Sequence, residues 1–110
     1  MSKIGDIIEL TQDMPKKKLM SGSRGTIVHC HNDDVYEIEF TDENGETLDF
    51  LALNSKQFIV VWRIETKQWV PIAEQVAELT AKLPDETTKQ IFDFARFLSA
   101  RLPVQASASF

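Results

Sequence analysis

The sequence predicts an α+β, mainly β protein: a small five-stranded antiparallel β-barrel followed by a C-terminal two-helix hairpin. Three observations lead there. Apolar residues recur with a period of two up to about residue 63 and with a period of 3.6 beyond Trp69. Turn-forming clusters, Gly22-Ser23-Arg24-Gly25 and Asp42-Glu43-Asn44-Gly45, divide the first part into short strands. Pro71, Pro84 and Pro103 bracket two helical stretches in the second. The expected organisation is a barrel over 1–64, a linker over 65–70, a helical hairpin interaction segment over 71–102 and a flexible tail over 103–110.

The first strand is expected over 6–10, where Ile7, Ile8 and Leu10 supply the apolar content. A long polar loop with Pro15 and a lysine run fills 11–23, and a β-branched strand follows over 26–31. Over 35–41, Tyr36, Ile38 and Phe40 alternate with Glu37 and Glu39, which gives a strand with one buried and one wet face. Asn44-Gly45 supplies the positive φ angles of a hairpin turn. The return strand spans 46–53, a short helical turn 54–57, and the last strand 58–62. Five short strands within about sixty residues hide their edges by curling into a barrel or a strongly bent sheet.

In the second part, Ile72, Val76, Leu79 and Leu83 fall on one helix face, opposite Glu74, Gln75, Glu78 and Lys82. Pro84 interrupts that helix. Asp85 and Glu86 then open a second, where the helix dipole favours negative charge, and Arg101 stands near its end. Ile91, Phe94 or Ala95, Leu98 and Leu102 form its main stripe, with Phe92 and Phe97 on the flanks. A helix packed against a single neighbour needs an apolar arc of roughly 100°. Three phenylalanines within six positions cover more than that. An intramolecular core against Ile72, Val76 and Leu79 accounts for part of this surface, and a further partner or self-association for the rest. The partner-binding residues are therefore expected to be Ile91, Phe92, Phe94, Phe97, Leu98 and Leu102.

Composition narrows the function. At 43% hydrophobic and 26% charged residues, the chain has the make-up of a folded globular domain. Its net charge is −5, and both parts are acidic: seven basic against eleven acidic residues up to Arg63, five against six beyond. That balance argues against a nucleic-acid binder. Cys30 is the single cysteine, which excludes a disulfide framework and a four-cysteine zinc site and fits a reducing compartment. No run of about 18 apolar residues marks a membrane span, and the start of the chain lacks a signal-peptide core, so a cytoplasmic location is expected.

His29 and His31 share one strand face while Cys30 points to the other, so the three cannot ligate one ion without a bulge. A two-histidine site completed by Asp33 or Asp34 is the only conceivable variant. The simpler expectation is a buried Cys30 between surface histidines, with neither a metal nor a nucleophilic role. Asp42, Glu43, Glu46 and Asp49 surround a wet hairpin tip, whereas paired acid–base carboxylates need a cleft that separates their pKa values. Lys16, Lys17, Lys18 and Arg24 are the expected phosphate contacts, if any exist. Trp62 and Trp69 bracket the junction, either stapling the helices to the barrel or anchoring a partner. No catalytic residue and no cofactor are expected.

Gly5-Asp6-Ile7-Ile8-Glu9-Leu10, the run from Gly22 to Val28, the run from Val35 to Phe40 and Leu53-Asn54-Ser55-Lys56-Gln57-Phe58 resemble small barrels of the Src-homology and KOW type. More narrowly, they are similar to a family of short, uncharacterised bacterial domains, abundant in cyanobacteria and often found beside toxin–antitoxin genes. The runs 79–86 and 91–98 resemble another short prokaryotic family of candidate antitoxins, marked by leucine-proline, an acidic-polar turn and an aromatic-rich helix. The resemblances imply a non-enzymatic, antitoxin-like interaction module whose partner is a small toxin or a second copy of the chain, bound by helix-in-groove docking. An accessory subunit of a larger enzyme or photosynthetic complex, and a weak nucleic-acid-binding barrel, are the alternative expectations.

Overall fold

The computed structural model describes residues 2–32 and 34–102. Two compact units divide the chain, the first ending at Leu79 and the second beginning at Thr80. In the first unit, β1 (Ile7–Leu10), β2 (Arg24–Cys30), β3 (Val35–Thr41), β4 (Thr47–Asn54), β5 (Phe58–Arg63) and β6 (Gln68–Trp69) form one antiparallel sheet. The strand order is β4-β3-β2-β1-β5-β6. Helix α1 (Ile72–Ala81) follows β6, and α2 (Asp85–Arg101) belongs to the second unit.

Mainly β architecture with two terminal helices agrees with the expectation; the closed five-stranded barrel does not. Among the described residues there are six strands, and the two ends of the sheet are not hydrogen-bonded to each other. The missed strand, β6, lies inside the segment expected as a linker. Two residues carry no period, and only its pairing with β5 (Trp62 opposite Trp69, Arg63 opposite Gln68) makes it a strand.

The sheet is nevertheless strongly curled, and the connection between β4 and β5 explains why. These strands are separated by three others in the sheet order, which in a flat sheet is about 19 Å at 4.8 Å per strand. A 3-10 turn of three residues, Ser55–Gln57, joins them, and spans only about 6 Å. The sheet must roll until its far strands meet. Tyr36 on β3 and Phe58 on β5 accordingly stand edge to face, with ring centroids 5.6 Å apart, although β2 and β1 lie between their strands. The turn is fixed by a capping box: the Asn54 side chain accepts from the Lys56 N–H, and the Asn54 N–H donates to the Gln57 side chain.

Inside the curl sit Ile8, Leu10, Ile27, Tyr36, Ile38, Phe40, Leu51, Leu53, Phe58 and Val60, closed off by Leu19 and Val70. Gly25 lies at the tightest point. A Cβ there would fall 2.6 Å from a methyl of Ile38 and 3.0 Å from the Glu39 carbonyl oxygen, so only glycine lets β2 and β3 approach. At the β3–β4 hairpin, Gly45 takes a positive φ and Asn44 does not. The connection is therefore a type I turn ending in a left-handed glycine rather than the two-residue turn that Asn-Gly suggests. Asp42 holds it by accepting from the N–H groups of Asn44 and Glu46.

Among the described residues one polar side chain is buried with the core. Asp6, 2% exposed, accepts from the Lys3 N–H on one carboxylate oxygen and from the Ile64 N–H on the other, each at 2.9 Å. It ties the start of the chain to the end of β5.

Candidate interaction surface

Helix α2 begins cleanly. Pro84 precedes it in an extended conformation and its carbonyl accepts from the Thr88 N–H at 2.9 Å. The Thr88 hydroxyl lies within hydrogen-bonding reach of the carbonyls of Thr80 and Pro84. Asp85 and Glu86 occupy the first turn and Arg101 the last, matching the helix dipole at both ends. The local sequence thus specifies a seventeen-residue helix.

No residue of that helix is buried. Phe92, Phe94 and Phe97 are 56%, 62% and 48% exposed, Leu98 and Leu102 are also exposed, and Ile91 alone is half-buried. Phe94 and Phe97, one turn apart, stack with centroids 6.4 Å apart and planes 16° from parallel. The guanidinium of Arg96 sits 4.7 Å over Phe92, and that of Arg101 4.1 Å over Phe97. The arginine stems shelter part of each ring, yet a wide aromatic surface faces solvent. In α1, Ile72, Val76 and Leu79 are exposed as well, and no residue of that helix is buried.

Of the basic residues expected to touch phosphate, Arg24 and Lys17 face acidic partners. Arg24 donates to Glu9 at 2.8 Å while its guanidinium lies 5.0 Å over the Trp69 ring. Lys17 faces Asp49 at 3.8 Å. Lys16 and Lys17 lie in a 3-10 turn, Pro15–Lys17, and Lys18 caps it in a left-handed conformation. The loop is fixed by two hydrogen bonds between Met14 and Leu19 and by Asp13 accepting from the Ser21 N–H. Beside it, Asp13, Pro15, Lys18, Leu19 and Met20 line an open depression of about 430 Å³.

At the end of β2, the rings of His29 and His31 meet edge-on at 4.6 Å, and His31 pairs with Glu37 at 3.0 Å. Cys30 is exposed, not buried as expected. A bulge between Ile27 and His29 shifts the register so that Cys30 stands opposite Tyr36 at the last position of the strand. Among the described residues no group of three or more His, Cys, Asp or Glu could hold a metal ion; Asp33, one possible ligand, lies outside them. Trp62 and Trp69 face each other across the β5–β6 pair, with Trp69 exposed. Sequence reasoning missed the outer face of β4, where Leu48 and Phe50 are exposed; their alternation with the buried Leu51 and Leu53 was the available signal. Among the described residues no helix is long and apolar enough to cross a membrane.

Residues 4–60 match the model of a family described as a domain of unknown function, DUF4926, which covers just over half of the chain. The chain belongs to the DUF4926 family. No curated protein and no solved structure matches it. The DUF4926 segment takes in β1 to β4 and the first half of β5, so β6, both helices and the aromatic surface of α2 lie beyond it.

Proposed function

We propose that this chain is a non-enzymatic, antitoxin-like interaction module, with the curled sheet as its folded body and α2 as its docking element. Phe94, Phe97, Leu98 and Leu102 enter an apolar groove on a partner protein in the helix-in-groove manner, Ile91 supports them from the half-buried side, and Phe92, about 160° round the helix from Phe94, stays outside the groove. The observation that carries this reading is the exposure of three phenylalanines on a seventeen-residue helix without a buried residue. Burying one phenylalanine is worth about 1.5–3 kcal/mol, so a partner that covers Phe94 and Phe97 gains a substantial apolar contribution. The antitoxin assignment rests on the resemblance of 79–86 and 91–98 to that class and points to a small toxin as the occupant.

The test is recovery of complexes from native lysate with the full chain and with a Phe94→Asp/Phe97→Asp variant. A second protein in stoichiometric amount, lost with the variant, is expected, and its co-expression as a growth inhibitor should be neutralised only by the wild-type chain. Recovery of this chain alone, or of the same partner with both forms, would overturn the proposal.

A further inference from the structure

We infer that α2 also pairs with α2 of a second copy of this chain, antiparallel, across a two-fold axis beside Phe94. The inference rests on reading α2 as a docking surface and names an occupant that its own sequence fits. At 100° per residue, Phe94, Phe97, Leu98, Ile91 and Arg101 share one side of the helix, while Phe92 lies about 160° from Phe94. The stacked Phe94–Phe97 pair is the centre of that side.

Charge decides the orientation. Asp85, Lys89 and Arg96 project from the far side and Asp93 sits on a flank about 100° from Phe94, so the charges nearest the Phe94 face are Glu86 and Arg101. They stand eight and seven residues from Phe94 in opposite directions, about 12 and 10 Å along the axis. A two-fold axis at Phe94 reverses the second helix and sets Arg101 of each copy within about one residue of the level of Glu86 on the other, on the same flank. Two Glu86–Arg101 pairs then close the ends of a phenylalanine centre. A parallel pair brings Arg101 level with Arg101 and Glu86 level with Glu86, so repulsion disfavours it. The glutamate near the helix start and the arginine near its end also suit their own dipole, so neither charge is unfavourable in the single chain.

Area sets the strength. The four apolar side chains Phe94, Phe97, Leu98 and Ile91 offer on the order of 400 Å² per copy, below the roughly 800 Å² per partner of a standard interface, which places the pair among weak, concentration-dependent dimers. A dissociation constant on the order of 10–100 μM is expected.

Sedimentation equilibrium of the full chain at low salt, up to about 1 mM, tests this against its variants. Phe94→Asp, on the axis, should weaken the dimer at least about tenfold, and Phe92→Asp, on the far side, should leave it unchanged. Glu86→Arg and Arg101→Glu should each weaken it by about five- to tenfold, while an equimolar mixture of the two restores it as a heterodimer. Far-UV circular dichroism of each variant shows whether α2 is retained; loss of pairing without loss of helix is the expected pattern. A monomer at all concentrations, a dimer indifferent to Phe94→Asp, or a mixture that fails to recover would overturn the inference. A monomeric chain that still captures a foreign protein through Phe94 would sink self-pairing and leave the proposed function standing.

Discussion

Replacing Asp6 by alanine is the most demanding perturbation of the first unit. The carboxylate is 2% exposed and satisfies two backbone N–H groups, those of Lys3 and Ile64, at 2.9 Å each. Alanine removes both acceptors and leaves two partly buried donors without partners, each worth about 1–3 kcal/mol. The expected loss is about 2–5 kcal/mol, a large share of the 5–15 kcal/mol that typically holds a domain together. Asparagine keeps one acceptor and turns its amide NH₂ toward the other donor, so about half that loss is expected from Asp6→Asn. Urea denaturation followed by fluorescence of Trp62 and Trp69, both in this unit, reads the change as a shift of midpoint at constant slope. In thermal terms the alanine variant should melt at least about 10 °C lower. A loss below about 0.5 kcal/mol for Asp6→Ala would refute the claim that this side chain ties the start of the chain to the end of β5.

Gly25→Ala forces a Cβ into the side chain of Ile38 and the Glu39 carbonyl, and should cost about 1–3 kcal/mol in the same assay. Phe97→Ser, on an exposed ring, should change stability by less than about 0.5 kcal/mol while reducing the binding of an apolar dye; unfolding of the variant would contradict its exposure. The hydrogen bond and charge of the Lys3 ammonium hold the Glu65 carboxyl below its ordinary range. A lowered pKa in the folded state contributes stability above the unfolded value that is lost as pH falls through the folded one. Because Glu65 is fully exposed, Lys3→Met should return its pKa, followed by carboxyl carbon NMR, to the ordinary value and leave the melting temperature unmoved at pH 7.

What the sequence made legible was whatever repeats. The Tyr36, Ile38, Phe40 alternation marks the core face of β3, and all three are buried. The bracket of Pro84 and Arg101 fixes α2 to the residue, because prolines and end charges act locally. The open sheet was not legible, since strand closure depends on pairing between residues some fifty positions apart, such as Ile8 and Val60. Nor was the exposure of Cys30: it stands opposite the buried Tyr36 but at the last position of β2, and alternation does not mark where a strand ends. Asp6 opens the first expected strand with nothing in the local pattern to mark burial, and only the return of Ile64 to its side reveals it as a buried clip. The aromatic excess of α2 was legible as composition, and the structure adds which rings share a side.

That clip redraws the boundary of the folding body. The family match stops at residue 60, inside β5, yet the second donor to Asp6 is Ile64, and Val70 closes the core beyond it. During synthesis, the first four strands can emerge as a meander, but Ile8 and Leu10 stay uncovered until β5 arrives and pairs with β1. A chain cut where the recognisable pattern ends would thus keep its signature and forfeit its lock, exposing greasy strand surface to any neighbour. The compact unit that holds this lock runs to Leu79.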